Sequence, residues 1–384
     1  MMAAQKMSQA TMMMFGAGSL SILGEQIKTR GLSKPVIITD KGVTAAGVTA
    51  KVQNVLKEAG LDSVVYDDCL SDAPSDSIPA AADAFRAAKG DCIIALGGGS
   101  SIDTAKAASR TILNPRPITE VVGQPGTPDV PIFTIPTTSG TGSEVTTVGV
   151  ISHSETSKKF GISITGATLA VVDPELTMGV PPVITAQTGM DVVAHAVEAI
   201  CGRNRNRMSD LRGFESLRLV VAHLPAAVKD GTDIVARTGM SLASSLAGLA
   251  FSDSTTNLGH AIAQALASTF HLHHGLICGL ATPPQLELFA EALPERVRRI
   301  AEVFGADVPL DATGEEIGKI AAKKMREFMA AVGLPSLGQL GYTREQLIAE
   351  TDTLMAERMK DISPIEINSE VAAKALSLMC DYEG

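Results

Sequence analysis

The sequence contains no tryptophan, and aromatic residues make up only 3% of its 384 residues. Its cores must therefore be built from Ala, Val, Leu, Ile and Met. A hydrophobic fraction of 45% supplies these amply and excludes a disordered chain. Basic runs are also missing. None exceeds KK, RNRNR (203–207) reads as a short solvated loop, and the formal net charge is −10, so no nucleic-acid partner is expected. There is no CxxC pair. The five cysteines, Cys69, Cys92, Cys201, Cys278 and Cys380, are scattered and odd in number, which excludes a disulfide framework. No apolar run reaches the length of a membrane span, so no membrane partner is expected. The opening MMAAQKMSQATMMMFG is apolar but carries no signal-peptide cleavage pattern, and it reads as an irregular start leading into a strand. A reducing cytoplasm is the expected compartment.

A chain of 384 residues is long for one core, so two domains are expected. The first half alternates strand and helix signals. PVIITD, VVYDD, DCIIALGGG, VPIFTIPTT, VTTVGVIS and LAVVDPE read as strands, separated by helical stretches such as KVQNVLKEAG and IPAAADAFRAAKG. That rhythm predicts a mostly parallel, Rossmann-like sheet covered by helices. Paired prolines at 181 and 182 interrupt regular structure and mark the boundary. Beyond them every periodic segment is helical. The expected architecture is an α/β nucleotide-binding domain over 1–180 and an all-α metal-binding and catalytic domain over 181–384.

Four residues of metal-ligating type lie in the helical half: Asp191 and His195 in GMDVVAHAVEA, His260 in NLGHAIAQAL and His274 in FHLHHGLICG. The i,i+4 spacing of Asp191 and His195 puts both on one face of a helix. His260 and His274 are too far apart for one turn and must come from two elements, or from an element and the loop after it. One carboxylate with three imidazoles suits a borderline divalent cation such as Fe²⁺, Zn²⁺ or Co²⁺. The competing reading is a core histidine, a capping carboxylate and a chance histidine cluster.

GGGSSIDTAK (97–106) follows a strand and opens a helix. Its glycines let the backbone approach a ligand, and the N–H groups at the helix start, helped by the Ser100 hydroxyl, suit a phosphate. It is neither GxGxxG nor a P-loop, and the alternative is a plain strand-to-helix turn with a capping serine. TTSGTGSE (137–144) is a second polar, glycine-containing segment after a strand, suited to a nicotinamide or ribose contact or to a simple turn. Asp40 ends the first full strand. There it could accept bonds from ribose hydroxyls and repel a 2′-phosphate, or merely make an Asx turn.

The ordered segments PVIITDKG, GGGSSIDTAKAAS, PTTSGTGSEVT, VVDPELTMGVPP, TGMDVVAHAVEA, NLGHAIAQAL and HHGLICG resemble the iron-containing (group III) alcohol dehydrogenase family, over roughly residues 12–300. The resemblance implies a fold shared with glycerol dehydrogenase and dehydroquinate synthase. It also implies NAD(H)-linked oxidation of a small alcohol or reduction of its aldehyde or ketone, a metal that is Fe²⁺ in most members and zinc in some, and a homodimer. It assigns Asp191, His195, His260 and His274 to the metal, and Gly98, Gly99 and Ser100 to the pyrophosphate. Thr137 and Thr138 fall to the nicotinamide side, Lys159 to the cofactor ribose, and Asp40 to NAD preference. No cysteine ligand is called for.

Three departures from the family pattern concern the substrate side. Gln264 stands where many members carry a second histidine, and it is expected to orient substrate or nicotinamide without transferring a proton. His273 stands where proline commonly precedes the last ligand, either supporting a ligand from behind or competing with His274 for the metal, and His274 is also expected to be catalytic. The family's Asn-Pro-Arg near the C-terminus is replaced by ISPIEINSE. The alternatives are a hydroxyacid–oxoacid transhydrogenase with retained NAD, a lyase or synthase using NAD transiently, and a metal-binding protein with impaired turnover.

Overall fold

Four strands of the N-terminal half are continuously apolar, Thr134 excepted, rather than alternating, the signature of strands covered on both faces. The computed structural model, which describes residues 9–156 and 158–384, bears this out. Strands β2 (Pro35–Ile38), β4 (Cys92–Gly97), β5 (Ile132–Pro136) and β8 (Leu169–Val172) are buried throughout. With β1 (Met13–Phe15) and β3 (Val64–Tyr66) they form a six-stranded parallel sheet in the order β1-β8-β5-β4-β2-β3. Successive side chains point to opposite faces. Val36, Ile38, Ile93 and Ala95 face a core shared with α4 (Ile78–Ala87) and α5 (Gly99–Ala108). Ile37, Ile94, Leu96 and Phe133 face one shared with α1 (Leu23–Lys28) and α3 (Val48–Glu58). The short α2 (Lys41–Ala45) follows β2 directly. The chain leaves β2 toward β3 on one side and returns to β4 on the other, so the sheet reverses its order between β2 and β4. In open α/β sheets ligands bind at the carboxyl ends of the strands flanking such a reversal.

One strand expectation is corrected. β6 (Val148–Ser152), read as a further strand of the βαβ series, lies outside that sheet and pairs antiparallel with β7 (Lys159–Ser163). Its burial alternates, with Val148 and Val150 exposed and Gly149 and Ile151 covered, as expected of a ribbon packed on one face only. The paired prolines stand in the break between the two units. Pro182 occupies the first position of α6 (Pro182–Cys201), where a missing N–H is no loss and the fixed φ suits helix entry. The opening MMAAQKMS lies outside the described residues.

Gln9–Val180 forms one compact unit and Pro181–Gly384 belongs to another. The second is helical, as the periodicity predicts. Its helices are α6, α7 (Arg207–Lys229), α8 (Ile234–Ser254), α9 (Leu258–Phe270), α10 (His274–Phe289), α11 (Pro294–Val303), α12 (Gly314–Ala331), α13 (Arg344–Ile348), α14 (Thr351–Ala356) and α15 (Ser369–Leu378). α6 is buried almost continuously from Thr185 to Cys201 and packs against α7, α8, α9 and α10. By length and composition α8 could cross a membrane, contrary to the expectation from sequence, because Ser and Gly interrupt its apolar residues without lowering its mean hydropathy below 1.3. Two-thirds of that window (67%) is buried, against α6 and α7.

Asp173 closes the N-terminal sheet. It follows β8 and is buried, and its carboxylate accepts hydrogen bonds from the backbone N–H groups of Gly18, Leu20 and Glu175. It thereby ties the turn after β1 to the end of β8. Asp173→Ala leaves the buried Leu20 N–H without its acceptor and removes three charge-assisted bonds, so it should destabilise this unit by roughly 2–4 kcal/mol. A fall in the midpoint of its denaturant unfolding measures this.

Candidate functional site

The helical unit builds a buried polar centre from α6, α9 and α10. Asp191, His195 and Glu198 occupy positions i, i+4 and i+7 of α6, one face of the helix, and all three are buried. Glu198 is the organising group. Its carboxylate accepts from the backbone N–H groups of Asn257 and His260 at the start of α9, the latter at 3.1 Å, and its Oε1 lies 3.0 Å from His260 Nδ1. A carboxylate at Nδ1 calls for N–H there, which leaves Nε2 as a lone pair. That Nε2 lies 2.9 Å from His195 Nε2 and 3.7 Å from Asp191 Oδ1. The His195 ring is held flat against Phe251, with centroids 4.3 Å apart.

His274 is the first residue of α10, and Gly275 decides where that helix begins. A Cβ at Gly275 would fall 2.4 Å from the backbone oxygen of Gln187 on α6, so only glycine allows this approach. The approach brings His274 Nε2 to 4.0 Å from Asp191 Oδ1. Asp191 Oδ1 is buried and has no hydrogen-bond partner among the described residues. Burial pushes the Asp191 carboxyl up, but His195, His274 and His260 outweigh it and hold it at about 2. A buried carboxylate oxygen at the meeting point of three imidazoles is costly unless a cation sits among them. The donors are those of a borderline transition metal, so the residues present fit a divalent ion.

The structure thus brings Asp191, His195, His260 and His274 together. His273 caps α10, is exposed, and stands outside the group. Gln264, one turn beyond His260, is half-buried, with its Nε2 3.9 Å from Met359 Sδ. Two residues of this centre were not anticipated. Glu198 could have been found from its place on the Asp191–His195 face. Cys278, one turn after His274, has its Sγ 3.5 Å from His274 Nε2. Asp191, His260, His274 and Cys278 each offer one ligand atom, all within 4.8 Å of one another. A cysteine therefore lies beside the metal residues, carried there by the HxxxC spacing on α10, although the expected chemistry calls for no cysteine ligand.

In the sheet unit, the ends of β2, β4 and β5 gather a second set of residues. Gly97 closes β4 at φ +141°, a conformation that side chains rarely adopt, and turns the chain into α5. No side chain caps α5, so its first N–H groups stay open to an anion. Gly98 lies against Thr138 and Gly99 against Thr141, from the loop after β5, and Thr137 N–H donates to Gly97 O at 3.0 Å. Asp40 caps α2 and makes no Asx turn. Its Oδ1 accepts from Val43 N–H at 2.9 Å, while Oδ2 accepts from the Ser101 hydroxyl at 2.7 Å, beside Gly97. The Ser100 hydroxyl does not cap the helix. It accepts from Asp72 N–H at 3.0 Å, and Asp72 in turn holds Lys159 Nζ at 2.7 Å.

A buried clamp fixes the two loops. Lys106 Nζ donates to Ser143 O, Ser143 Oγ, Thr146 Oγ1 and Val148 O, and Asp103 accepts from Ser143 Oγ and Val150 N–H. Burial lowers the Lys106 pKa, against the pull of Asp103, and raises that of Asp103, against the pull of Lys106.

Two family models cover almost the whole chain. Iron-containing alcohol dehydrogenase matches residues 10–174, and the C-terminal model of the Fe-containing alcohol dehydrogenase family matches residues 185–377. The chain belongs to the iron-containing alcohol dehydrogenase family. A choline dehydrogenase of Bacillus subtilis (strain 168) is 32% identical to it over 358 residues, 91% of this chain and 88% of the relative. The alcohol dehydrogenase from Oenococcus oeni superposes with a TM-score of 0.91 at 30% identity, covering 97% of this chain and 99% of that one. The sulfoacetaldehyde reductase from Bifidobacterium kashiwanohense, solved in complex with NAD⁺, gives 0.89 at 28% identity, covering 99% and 100%. This family member is an oxidoreductase of alcohols and their carbonyl counterparts.

Glu198→Gln keeps the size of the side chain but removes the charge facing His260 Nδ1. Groups that orient a metal-binding histidine are worth about 10- to 100-fold in metal affinity. The variant should lose affinity for Zn²⁺ or Fe²⁺ by that order in a competition titration, with its helical circular dichroism unchanged.

Proposed function

We propose that the protein interconverts a small primary or secondary alcohol and its aldehyde or ketone, using NAD(H) and one divalent metal, Fe²⁺ in the first instance and Zn²⁺ as the alternative. The observation that carries this is the buried convergence of Asp191 Oδ1 with the imidazoles of His195, His260 and His274, in a chain whose α5 start is open to an anion. Asp191, His195, His260 and His274 would hold the metal. When bound, the metal supplies Lewis acidity to the substrate oxygen and the nicotinamide supplies hydride exchange.

The remaining work belongs to the protein. Gly98, Gly99 and Ser100 offer backbone N–H groups to the pyrophosphate. Thr137 and Thr138 stand across from these glycines, and the Lys106–Asp103 clamp holds that loop rigid. Lys159, oriented by Asp72, offers positive charge on the ribose side. Each Asp40 carboxylate oxygen accepts one bond inside the protein and keeps capacity for another, which suits ribose hydroxyls and opposes a 2′-phosphate. Gln264 orients substrate or nicotinamide by hydrogen bonding and transfers no proton. His274 would hold the metal and so act beside the substrate oxygen that the metal activates. All five cysteines are free thiols, which suits a reducing cytoplasm, and a homodimer is the assembly proposed.

Metal-reconstituted enzyme, assayed on a panel of primary alcohols, diols and hydroxyacids, should accumulate NADH stoichiometrically with carbonyl product. Turnover that needs a carbonyl acceptor and no free NAD⁺ would replace this reading with a transhydrogenase. His260→Ala should strip the metal, read by elemental analysis of purified protein. NAD⁺ should exceed NADP⁺ in kcat/KM, and Asp40→Gly should narrow the gap. A native preference for NADP⁺ rejects the role given to Asp40.

A further inference from the structure

Cys278 has no part in the chemistry assigned so far, yet it sits inside the metal-binding group. We propose that Cys278 is itself a donor to the metal, giving the centre a sulfur ligand beside Asp191, His260 and His274. This rests on the metal reading above.

Three observations carry it. The first is distance. Zinc–sulfur bonds of about 2.3 Å and zinc–nitrogen bonds of about 2.0–2.1 Å, at a tetrahedral angle, separate the two ligand atoms by roughly 3.5 Å. Cys278 Sγ and His274 Nε2 are 3.5 Å apart. The second is convergence. The four ligand atoms of Asp191, His260, His274 and Cys278 are mutually within 4.8 Å, wider than the roughly 3.5 Å of a tetrahedral sphere, so the side chains surround one position and need only draw inward to share an ion. The third is surroundings. Cys278 is fully buried, as a cysteine used only for packing would be. Its sulfur, however, faces an imidazole and the Asp191 carboxylate rather than apolar groups alone. The i,i+4 step from His274 puts both side chains on one face of α10, so the Gly275 contact that delivers His274 delivers Cys278 as well.

Coordination forms a metal–sulfur bond, breaks the S–H bond and releases the proton to solvent, with no change of oxidation state. A thiolate is a soft, anionic donor. It shifts the site away from cations that prefer oxygen, such as Mn²⁺ and Mg²⁺, and toward Zn²⁺, Co²⁺ and Fe²⁺. His195, from α6, and Cys278, from α10, then compete for the remaining position of a four-coordinate ion held by Asp191, His260 and His274.

Cobalt separates this proposal from the one it rests on. The full-length apoprotein is titrated anaerobically with Co²⁺. Visible ligand-field bands report a bound ion, and an intense near-ultraviolet sulfur-to-cobalt charge-transfer band reports a thiolate ligand. Wild-type protein should develop both at one equivalent. Cys278→Ser and Cys278→Ala should keep the ligand-field bands and lose the charge-transfer band, whereas Cys201→Ala, altering a buried cysteine outside the group, should keep both. Ligand-field bands in the wild type with no charge-transfer band overturn the role of Cys278 and leave the metal site standing, and this holds even if the variants fail to fold. A charge-transfer band that persists in Cys278→Ser overturns it too. No stoichiometric cobalt binding overturns both readings.

Discussion

A carboxylate with no exposure to solvent, Glu198, joins the helix that carries Asp191 and His195 to the helix that carries His260. It does three things with two oxygens. It neutralises the start of α9, where open N–H groups and the helix dipole favour negative charge. It fixes which nitrogen of His260 faces the centre. It also draws in Gln285 of α10, whose Nε2 lies 3.4 Å from Oε1. Three helices are thus registered on one buried charge. Burying that charge is tolerable because each bond it accepts comes from an otherwise unsatisfied donor.

The scarcity of aromatic residues has a structural counterpart in the same unit. A centre assembled from three helices needs their axes close together, and large rings would hold them apart. Alanine and glycine fill the facing positions instead. Gly189 meets Leu224, Gly279 meets Met190, and Gly275 meets the backbone of Gln187. Phe251 is a large ring at the metal residues, and it serves as a flat support for His195. Small residues therefore set the positions of the ligands, and their placement is as strict as that of the ligands themselves.

What could be read from sequence divides along the range of the interactions involved. Continuous apolar runs such as CIIALG identify strands covered on both faces, because the pattern is local and the burial follows from it. The α/β unit and the helical unit were legible for that reason. The β6–β7 ribbon was not separated from the sheet, although its alternating burial differs from the continuous burial of β4 and β5. At the centre, the i,i+4 step of Asp191 and His195 is local and readable. The buried role of Glu198 depends on α9 docking against α6, and the turning of Ser100 toward Asp72 depends on a loop elsewhere in the chain. By composition Cys278 is one of five scattered cysteines, and only its HxxxC spacing from His274 ties it to the centre.

The same division explains why chemistry is easier to infer here than substrate. The groups that would exchange hydride and hold the metal lie in ordered motifs, each within one or two elements. Substrate-side contacts do not. Gln264 points toward Met359, which also accepts from the Thr256 hydroxyl at 3.2 Å. Met359 lies in the turn Arg358–Ile362, which packs against α9 and is anchored where Arg203 N–H donates to Ile362 O. One side of α9, a single turn from His260, is therefore covered by a segment about a hundred positions away in sequence that lacks the family's Asn-Pro-Arg. A thioether is a weak acceptor on a flexible, polarisable chain. It bonds Gln264 too weakly to dictate its direction. The packing of Met359 against α9 is a contact that no linear motif records.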